Sequence, residues 1–121
     1  MVGRCADYAL SEYKDCFSVF VHADTDWRIN RLSQKHNKTA KEAKDMINKT
    51  DKSRSSYYNY YTNKKWGAAS SYNLCVDSSK LGIDGAAKAI IQAIEIFDSI
   101  KNNRIIFLQI LYHILVSICF W

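Results

Sequence analysis

Proline is absent from these 121 residues, and glycine occurs only four times, at Gly3, Gly67, Gly82 and Gly85. No two of these glycines are spaced as in G-x-x-x-x-G-K-[ST] or G-x-G-x-x-G, the two common loops that cradle phosphates. The N terminus also lacks the apolar stretch of a secretory signal peptide. The printed sequence therefore supplies no glycine-rich phosphate loop of its own, and the missing proline points to no function.

Metal-binding and disulfide patterns are equally scarce. The cysteines include no C-x-x-C pair, and the histidines match no metal-ligand spacing, so we expect no metal site. Three of the cysteines lie in or near apolar stretches, which predicts buried thiols and a reducing, cytoplasmic location. The residues in question are Cys5, Cys16, Cys75, Cys119, His22, His36 and His113.

Charge and length limit the class of protein. The chain is long enough for one domain, and its formal net charge is +5. An excess of cations favours anionic partners, namely phosphates, nucleic acid or an acidic membrane surface.

The first half of the chain predicts one strand and two helices. Residues 17–22 are short, β-branched and aromatic, which is typical of a strand. Asp24 or Thr25 then caps a helix that runs to about His36. Its inner side would be Ile29 and Leu32, whereas Arg28, Arg31 and Lys35 would be more exposed.

The second of these helices begins at a capping box, with Thr39 as N-cap and Glu42 three residues later. It continues to about Tyr61, with Ala43, Met46 and Ile47 on its apolar side. Asn63 or Gly67 would end it, because both residues tolerate the left-handed conformation of a helix stop.

The remaining pattern predicts a strand over 73–77, a loop through Gly82 and a helix over 84–96. Ala86, Ile90 and Ile94 recur every four residues and form an apolar stripe. The order β-α-α-β-α is typical of a parallel sheet covered by helices. Two strands are too few for such a sheet, so we expect the C-terminal part, or a truncated version, of a larger α/β domain.

Residues 105–121 are almost entirely apolar and differ in character from the rest. Seventeen residues are at the low edge for a membrane span. Gln109, His113 and Ser117 recur every four residues, and this polar stripe favours an amphipathic or partner-binding helix. Self-association or membrane contact through this tail stays open.

Residues 48–67 carry a dense set of cations interleaved with four tyrosines and a tryptophan. Such a segment suits a mobile cover over a polyphosphate, and small polar residues after the second strand, Ser78 and Ser79, suit the rim of a nucleotide site. The plainer interpretation is a solvated basic helix with a few packed tyrosines. A third interpretation is a surface that stacks bases and contacts the phosphates of a nucleic acid.

Several of these motifs, in this order, resemble the bacterial cytidylate kinase-like family. The likeness spans about residues 1–96 and does not extend into 97–121. The motifs are Gly3-Arg4-Cys5-Ala6-Asp7, the strand 17–22 with Arg28 and Arg31 after it, Thr50–Tyr58, Tyr61–Gly67, and Tyr72–Ser79 with Leu81-Gly82-Ile83 after it.

The resemblance implies the three-layer parallel-sheet fold of P-loop nucleoside monophosphate kinases, with the first strands and the P-loop missing. It implies a kinase-like portion over 1–96 with a lid at about 49–67, and the apolar composition predicts a separate, helical tail over 97–121. It also implies phosphoryl transfer from ATP, with Mg²⁺, to a CMP-like nucleoside monophosphate, whereas nucleic acid is not an expected partner. Because the glycine-rich loop is missing, we expect these residues alone to be inactive as a kinase.

Site residues follow from the same resemblance. Arg54 is the first candidate to close over the transferring phosphate, with Lys52 and Arg31 as further phosphate contacts and Asp51 as a residue that orients these cations. The remaining candidates are Arg4 and Asp7 for the monophosphate nucleotide and Arg28, Ser78 and Ser79 for ATP.

Two departures from the family pattern affect these assignments. Cytidylate kinases have Gly-Arg-Asp, whereas here Cys5 follows Arg4 and the acid comes at Asp7. The lid is poorer in arginine and richer in lysine, which is a weaker bidentate clamp. Two other classes of function therefore stay open, a basic fragment that binds nucleic acid or nucleotides without catalysis, and an interaction or membrane-associated protein that acts through the tail.

Overall fold

The computed structural model of the chain describes residues 5–101, which form a mixed α/β unit with a small parallel sheet and four α-helices. In chain order the elements are α1 (Ala6–Ala9), β1 (Val19–His22), α2 (Thr25–His36), α3 (Ala40–Thr62), a 3₁₀ turn (Ala69–Ser71), β2 (Leu74–Asp77) and α4 (Ser78–Lys101). The order β-α-α-β-α predicted from the sequence is confirmed, and α1 is an addition to it.

The two strands run parallel and start at the same level. Val19 pairs with Leu74 and His22 with Asp77. Below the first pair, the Asn73 side-chain oxygen accepts hydrogen bonds from both the backbone N–H and the hydroxyl of Ser18, each 2.9 Å long. The Ser18 carbonyl oxygen also accepts from the backbone N–H groups of Asn73 and Leu74, so the two strands are already joined at Ser18, although β1 itself begins two residues later than predicted.

One face of the sheet packs against α4. Val76, Ala86, Ile90 and Ile94 are buried together, as the stripe with a period of four predicts. Partly buried side chains surround this core, and Phe17 also meets Phe97 with ring centroids 5.0 Å apart. The partly buried residues are Phe17, Val19, Val21, Leu74 and Ile83.

The other face of the sheet carries an aromatic cluster. The Phe20 ring stacks on Tyr72 at 4.8 Å between centroids and meets Trp66 edge-on at 5.6 Å. Tyr58 of α3 stacks on Tyr72 at 6.4 Å and is only 1% exposed. The C-terminal half of α3 therefore forms a layer opposite α4, with the sheet between them.

Helices α2 and α3 form a hairpin and pack against each other. Asn37 turns the chain with a positive φ of 51°, and Thr39 and Glu42 form the predicted capping box at the start of α3. Ala43 and Ile47 are buried, whereas Met46, predicted to share their side, is 39% exposed. Asn63, one of the two residues predicted to end α3, caps it in the left-handed conformation.

Helix α4 differs from the prediction at both ends. It begins at Ser78, directly after β2, so the predicted loop is already helical before it breaks at Gly82. There φ is 70° and ψ is 171°, a conformation that is open essentially to glycine alone. The helix then continues beyond Ile96 to Lys101.

Over the described range, 5–101, no helix is both long enough and apolar enough to cross a membrane. The predictions for Arg4 and for the apolar tail 105–121 concern residues outside this range.

Candidate functional site

The carboxyl ends of the two parallel strands lie side by side, and a helix begins just beyond each of them. His22 and Asp77 are register partners at this edge. Helix α2 starts three residues after β1, and α4 starts immediately after β2. In open α/β sheets, ligands bind in the crevice beyond this edge, so the geometry marks it as the candidate site.

Polar side chains at this edge hold one another in place. The Ser79 hydroxyl and backbone N–H both donate to Asp77 Oδ1, the latter over 2.9 Å. Donation from the Ser79 hydroxyl lowers the pKa of the Asp77 carboxyl, so this group stays ionised at the start of α4. Ser78 is buried and donates to the carbonyl oxygen of His22 over 3.1 Å. Both predicted ATP contacts, Ser78 and Ser79, therefore lie at the edge with hydroxyls that donate to the chain itself.

A bidentate ion pair joins the two helices of the hairpin. Arg28 donates from both terminal nitrogens to the two oxygens of Asp51, over 2.7 and 2.8 Å. Their side chains are only 18% and 26% exposed. Arg28 is therefore less exposed than the sequence pattern suggested, and the partner that the structure gives to Asp51 is Arg28 on α2.

Two other predicted cations, Arg31 and Arg54, lie one helical turn from the residues of this ion pair. Arg31 follows Arg28 by one turn of α2, and Arg54 follows Asp51 by one turn of α3, so each lies on the same face of its helix as the pair. Because the helices form a hairpin, the two arginines flank the pair, each displaced by roughly 4.5 Å along the helix axis. Arg31 is half-buried with its guanidinium carbon 5.6 Å from the centre of the Trp27 ring.

Lys52 and Arg54 differ in their surroundings. Lys52 is exposed on α3, whereas Arg54 is half-buried. Planar guanidinium groups bind phosphate and carboxylate oxygens through two parallel hydrogen bonds, whereas a lysine acts as a flexible point charge. The side chains of Arg54 and Arg31 are therefore able to bind a phosphate through two hydrogen bonds, whereas Lys52 offers a single flexible charge.

Asp7 is bound to α3 through a buried tyrosine. The Tyr58 hydroxyl donates to Asp7 Oδ2 over 2.6 Å, although the two residues are 51 positions apart. Burial and the hydrogen bond to Asp7 raise the pKa of Tyr58, and burial also raises the pKa of Tyr72. Both phenols therefore remain protonated well above neutral pH.

Two of the implied ligands can be compared with these residues. The cations of the hairpin fit an anionic ligand such as the phosphates of ATP or a nucleoside monophosphate. Within residues 5–101, no group of three or more His, Cys, Asp or Glu side chains could hold a metal ion. The described part of the chain thus carries cations on the hairpin and shows no such group of potential metal ligands.

Comparison with known proteins identifies the family. The family model described as "Cytidylate kinase-like family" matches residues 1–80, two thirds of the chain. The chain belongs to the cytidylate kinase-like family. The match contains the strands, the hairpin and the candidate site residues Arg4, Asp7, Arg28, Arg31, Lys52, Arg54, Ser78 and Ser79.

A solved structure shares the fold of this cytidylate kinase-like chain. It is an uncharacterized protein from Eubacterium ventriosum ATCC 27560, 35% identical in sequence, with a TM-score of 0.74. The similarity covers 78% of this chain and 52% of the other, so the chain spans about half the length of that protein. Among curated proteins, none matches.

The sequence leaves two interpretations of Tyr58, a mobile cover and a packed side chain, and the structure supports the second. Tyr58 is buried and stacks on Tyr72, a contact that the sequence does not predict. A signal for Tyr58 was present, because Ile47, Asp51, Tyr58 and Thr62 share one face of the helix by their spacing of four and seven. Nothing in the spacing could indicate that Asp7 lies against that face.

Proposed function

We propose that this chain forms the monophosphate-binding and lid side of a nucleotide kinase that transfers the γ-phosphoryl group of ATP to a CMP-like nucleoside monophosphate. Membership of the cytidylate kinase-like family supports the class of reaction. The observation that carries the proposal is the ion pair between Arg28 and Asp51 with Arg31 and Arg54 on either side of it. Guanidinium groups within one helical turn of each other suit phosphate binding.

The proposed roles follow from charge and position. Phosphoryl transfer spreads negative charge over the transferring oxygens, and catalysis consists largely of positioning and charge neutralisation. Arg54 would neutralise the transferring group, with Lys52 and Arg31 as additional phosphate contacts. Arg4 and Asp7 would hold the monophosphate nucleotide, and Arg28, Ser78 and Ser79 would lie nearest to ATP.

The reaction also needs ATP and Mg²⁺. ATP would supply the phosphoryl group, and Mg²⁺ would neutralise charge on its phosphates. The described residues present no metal ligand set, and the 121-residue sequence contains no G-x-x-x-x-G-K-[ST] loop. We therefore propose that these residues bind nucleotide phosphates but do not catalyse transfer by themselves.

Calorimetric titration of the chain with CMP tests the proposal. The wild type should bind, and Arg54→Gln or Arg31→Gln should weaken binding roughly tenfold or more, because each loses a charge-assisted hydrogen bond. Lys88→Gln is the matched control, since Lys88 is an exposed cation on α4. Equal affinity in all four proteins, or no binding by the wild type, would contradict the proposed site.

A second candidate function rests on the exposed tyrosines of α3. Tyr57, Tyr60 and Tyr61 are 43%, 78% and 55% exposed, and their rings contact one another at 4.5 and 5.0 Å between centroids. Exposed aromatic rings beside cations can stack the bases of single-stranded nucleic acid. Binding of an oligonucleotide that exceeds CMP binding and falls steeply with salt would favour this function over the kinase site.

A further inference from the structure

The Asp7 carboxylate is held by a residue of the helix that carries the predicted lid cations. Tyr58 donates to Asp7 Oδ2 over 2.6 Å from a ring that is 1% exposed and stacked on Tyr72. A buried ring in a packed cluster has little rotational freedom, so the aromatic cluster fixes the position of the Tyr58 hydroxyl. The hydroxyl therefore sets where one oxygen of Asp7 lies.

Tyr58 also has a defined relation to the cations of α3. Asp51, Arg54 and Tyr58 follow one another at intervals of three and four residues and so occupy one face of the helix. Arg54 and Tyr58 are separated by roughly 6 Å along the helix axis. Asp7 is thus joined to the same face of α3 as Arg54, about one turn away.

We propose that Tyr58 is a positioning residue that binds Asp7, and with it α1, to the cation-bearing face of α3, so that the nucleoside-binding carboxylate and the phosphate-binding arginine move as one unit. The proposal rests on the function proposed above. With Oδ2 bound to Tyr58, Oδ1 is the oxygen that would accept an N–H or O–H group of a nucleoside monophosphate. Displacement of α3 would then move the substrate contact together with Arg54.

Hydrogen exchange of the full chain tests the coupling without any ligand. Tyr58→Phe keeps the ring but removes the hydroxyl that donates. Asp7→Asn replaces the carboxylate that accepts, and Asp7 is the less buried of the two partners. Both should speed exchange in residues 6–10 roughly tenfold or more, because a hydrogen bond to a charged group is lost, while the core around Ile90 keeps its protection. Tyr60→Phe is the matched control, because it removes the same hydroxyl group from a residue that is 78% exposed.

Titration with CMP then separates positioning from a purely structural role. If Tyr58 positions Asp7, Tyr58→Phe should weaken CMP binding severalfold, and its effect should largely vanish in the Asp7→Asn background. Unchanged exchange in residues 6–10 would overturn the coupling. Faster exchange with unchanged CMP affinity would overturn the positioning role. A wild type that binds no CMP would defeat the proposed function, and the exchange result would still decide whether Tyr58 joins α1 to α3.

Discussion

At the scale of single residues, the site is built from side chains that contact one another before any ligand is present. Arg28 is bound to Asp51, Asp7 to Tyr58, Ser79 to Asp77 and Ser78 to the backbone of His22. Half-buried polar groups with such partners lose little on desolvation and keep fixed positions. Arg28, Asp7, Ser78 and Ser79 are therefore held in position by contacts within the fold.

The ion pair between Arg28 and Asp51 should contribute to stability as well as to the site. Asp51→Asn preserves the shape of the side chain but replaces a carboxylate with a neutral amide. Because both partners are mostly buried, we expect the free energy of unfolding to fall by about 1–3 kcal/mol, measured by urea denaturation.

Lys80→Gln is the matched control for that substitution. It breaks the ion pair between Lys80 and Asp24, in which nitrogen and oxygen are 3.6 Å apart. The Lys80 side chain is 74% exposed and the Asp24 side chain is 61% exposed. An exposed pair of this kind contributes less than about 1 kcal/mol. If both substitutions cost the same, the hairpin pair would have no special energetic role.

The raised pKa of Tyr58 predicts a loss of stability at alkaline pH. Below its ordinary value of 10.0, the phenol is protonated in both the folded and the unfolded chain. Above that value the unfolded chain loses the proton while the folded chain retains it, so the unfolding free energy falls by about 1.4 kcal/mol per pH unit for this group.

Urea denaturation between pH 9 and 11 would measure this effect, as the difference between the wild type and Tyr58→Phe. The variant should lose stability less steeply with rising pH, because it has no phenol at position 58. Tyr60→Phe should keep the wild-type slope, since solvent already reaches that hydroxyl in the folded chain. Identical slopes in wild type and Tyr58→Phe would show that burial does not hold the Tyr58 proton.

At the scale of elements, local sequence patterns predicted most of the secondary structure. The capping box at Thr39, the stop at Asn63 and the stripe of Ala86, Ile90 and Ile94 depend on residues close in sequence, and the structure confirms them. Helix α4 begins earlier than predicted. The Asp77 carboxylate accepts hydrogen bonds from the backbone N–H and the hydroxyl of Ser79, and this cap allows the helix to start directly after the strand.

The candidate site was less predictable than the elements, for a physical reason. The contacts of Arg28 with Asp51 and of Asp7 with Tyr58 join residues 23 and 51 positions apart. Periodicity shows which residues share a helix face, but it does not show which other element covers that face. The resemblance to a family could suggest cations for the site, whereas the pairing among them required the fold.

The break in α4 at Gly82 gives a prediction for this element. Its φ of 70° and ψ of 171° are strained for any side chain, although an added Cβ would meet no atom within 4 Å. Gly82→Ala should therefore lower the free energy of unfolding by about 1–3 kcal/mol through backbone strain alone.

Asn63→Gly is the control for this prediction, because it also concerns a residue with positive φ, 53°, at a helix end. Glycine accepts that conformation freely, so thermal or urea denaturation should show little change. A Gly82→Ala variant as stable as the wild type would mean that α4 can run straight from Ser78 without the break.

At the scale of the whole molecule, the described residues form a sheet between two unlike layers. Helix α4 covers one face with aliphatic side chains, and an aromatic cluster with the end of α3 covers the other. The sheet has two strands within residues 5–101, and the structurally similar protein is about twice as long as the matched region. The family model covers both strands and the α2–α3 hairpin, and the solved structure shares the same α/β unit, so the two comparisons agree on this part of the chain.

The central claim is that the cations of the α2–α3 hairpin bind the phosphate of a nucleoside monophosphate. Backbone amide NMR shifts of the chain, recorded during titration with CMP, test it most directly. We predict concentration-dependent shifts at Asp7, Arg31 and residues 51–54, and none along residues 86–94 of α4. Shifts confined to the exposed tyrosines Tyr57, Tyr60 and Tyr61, or no shifts with millimolar CMP, would contradict the claim.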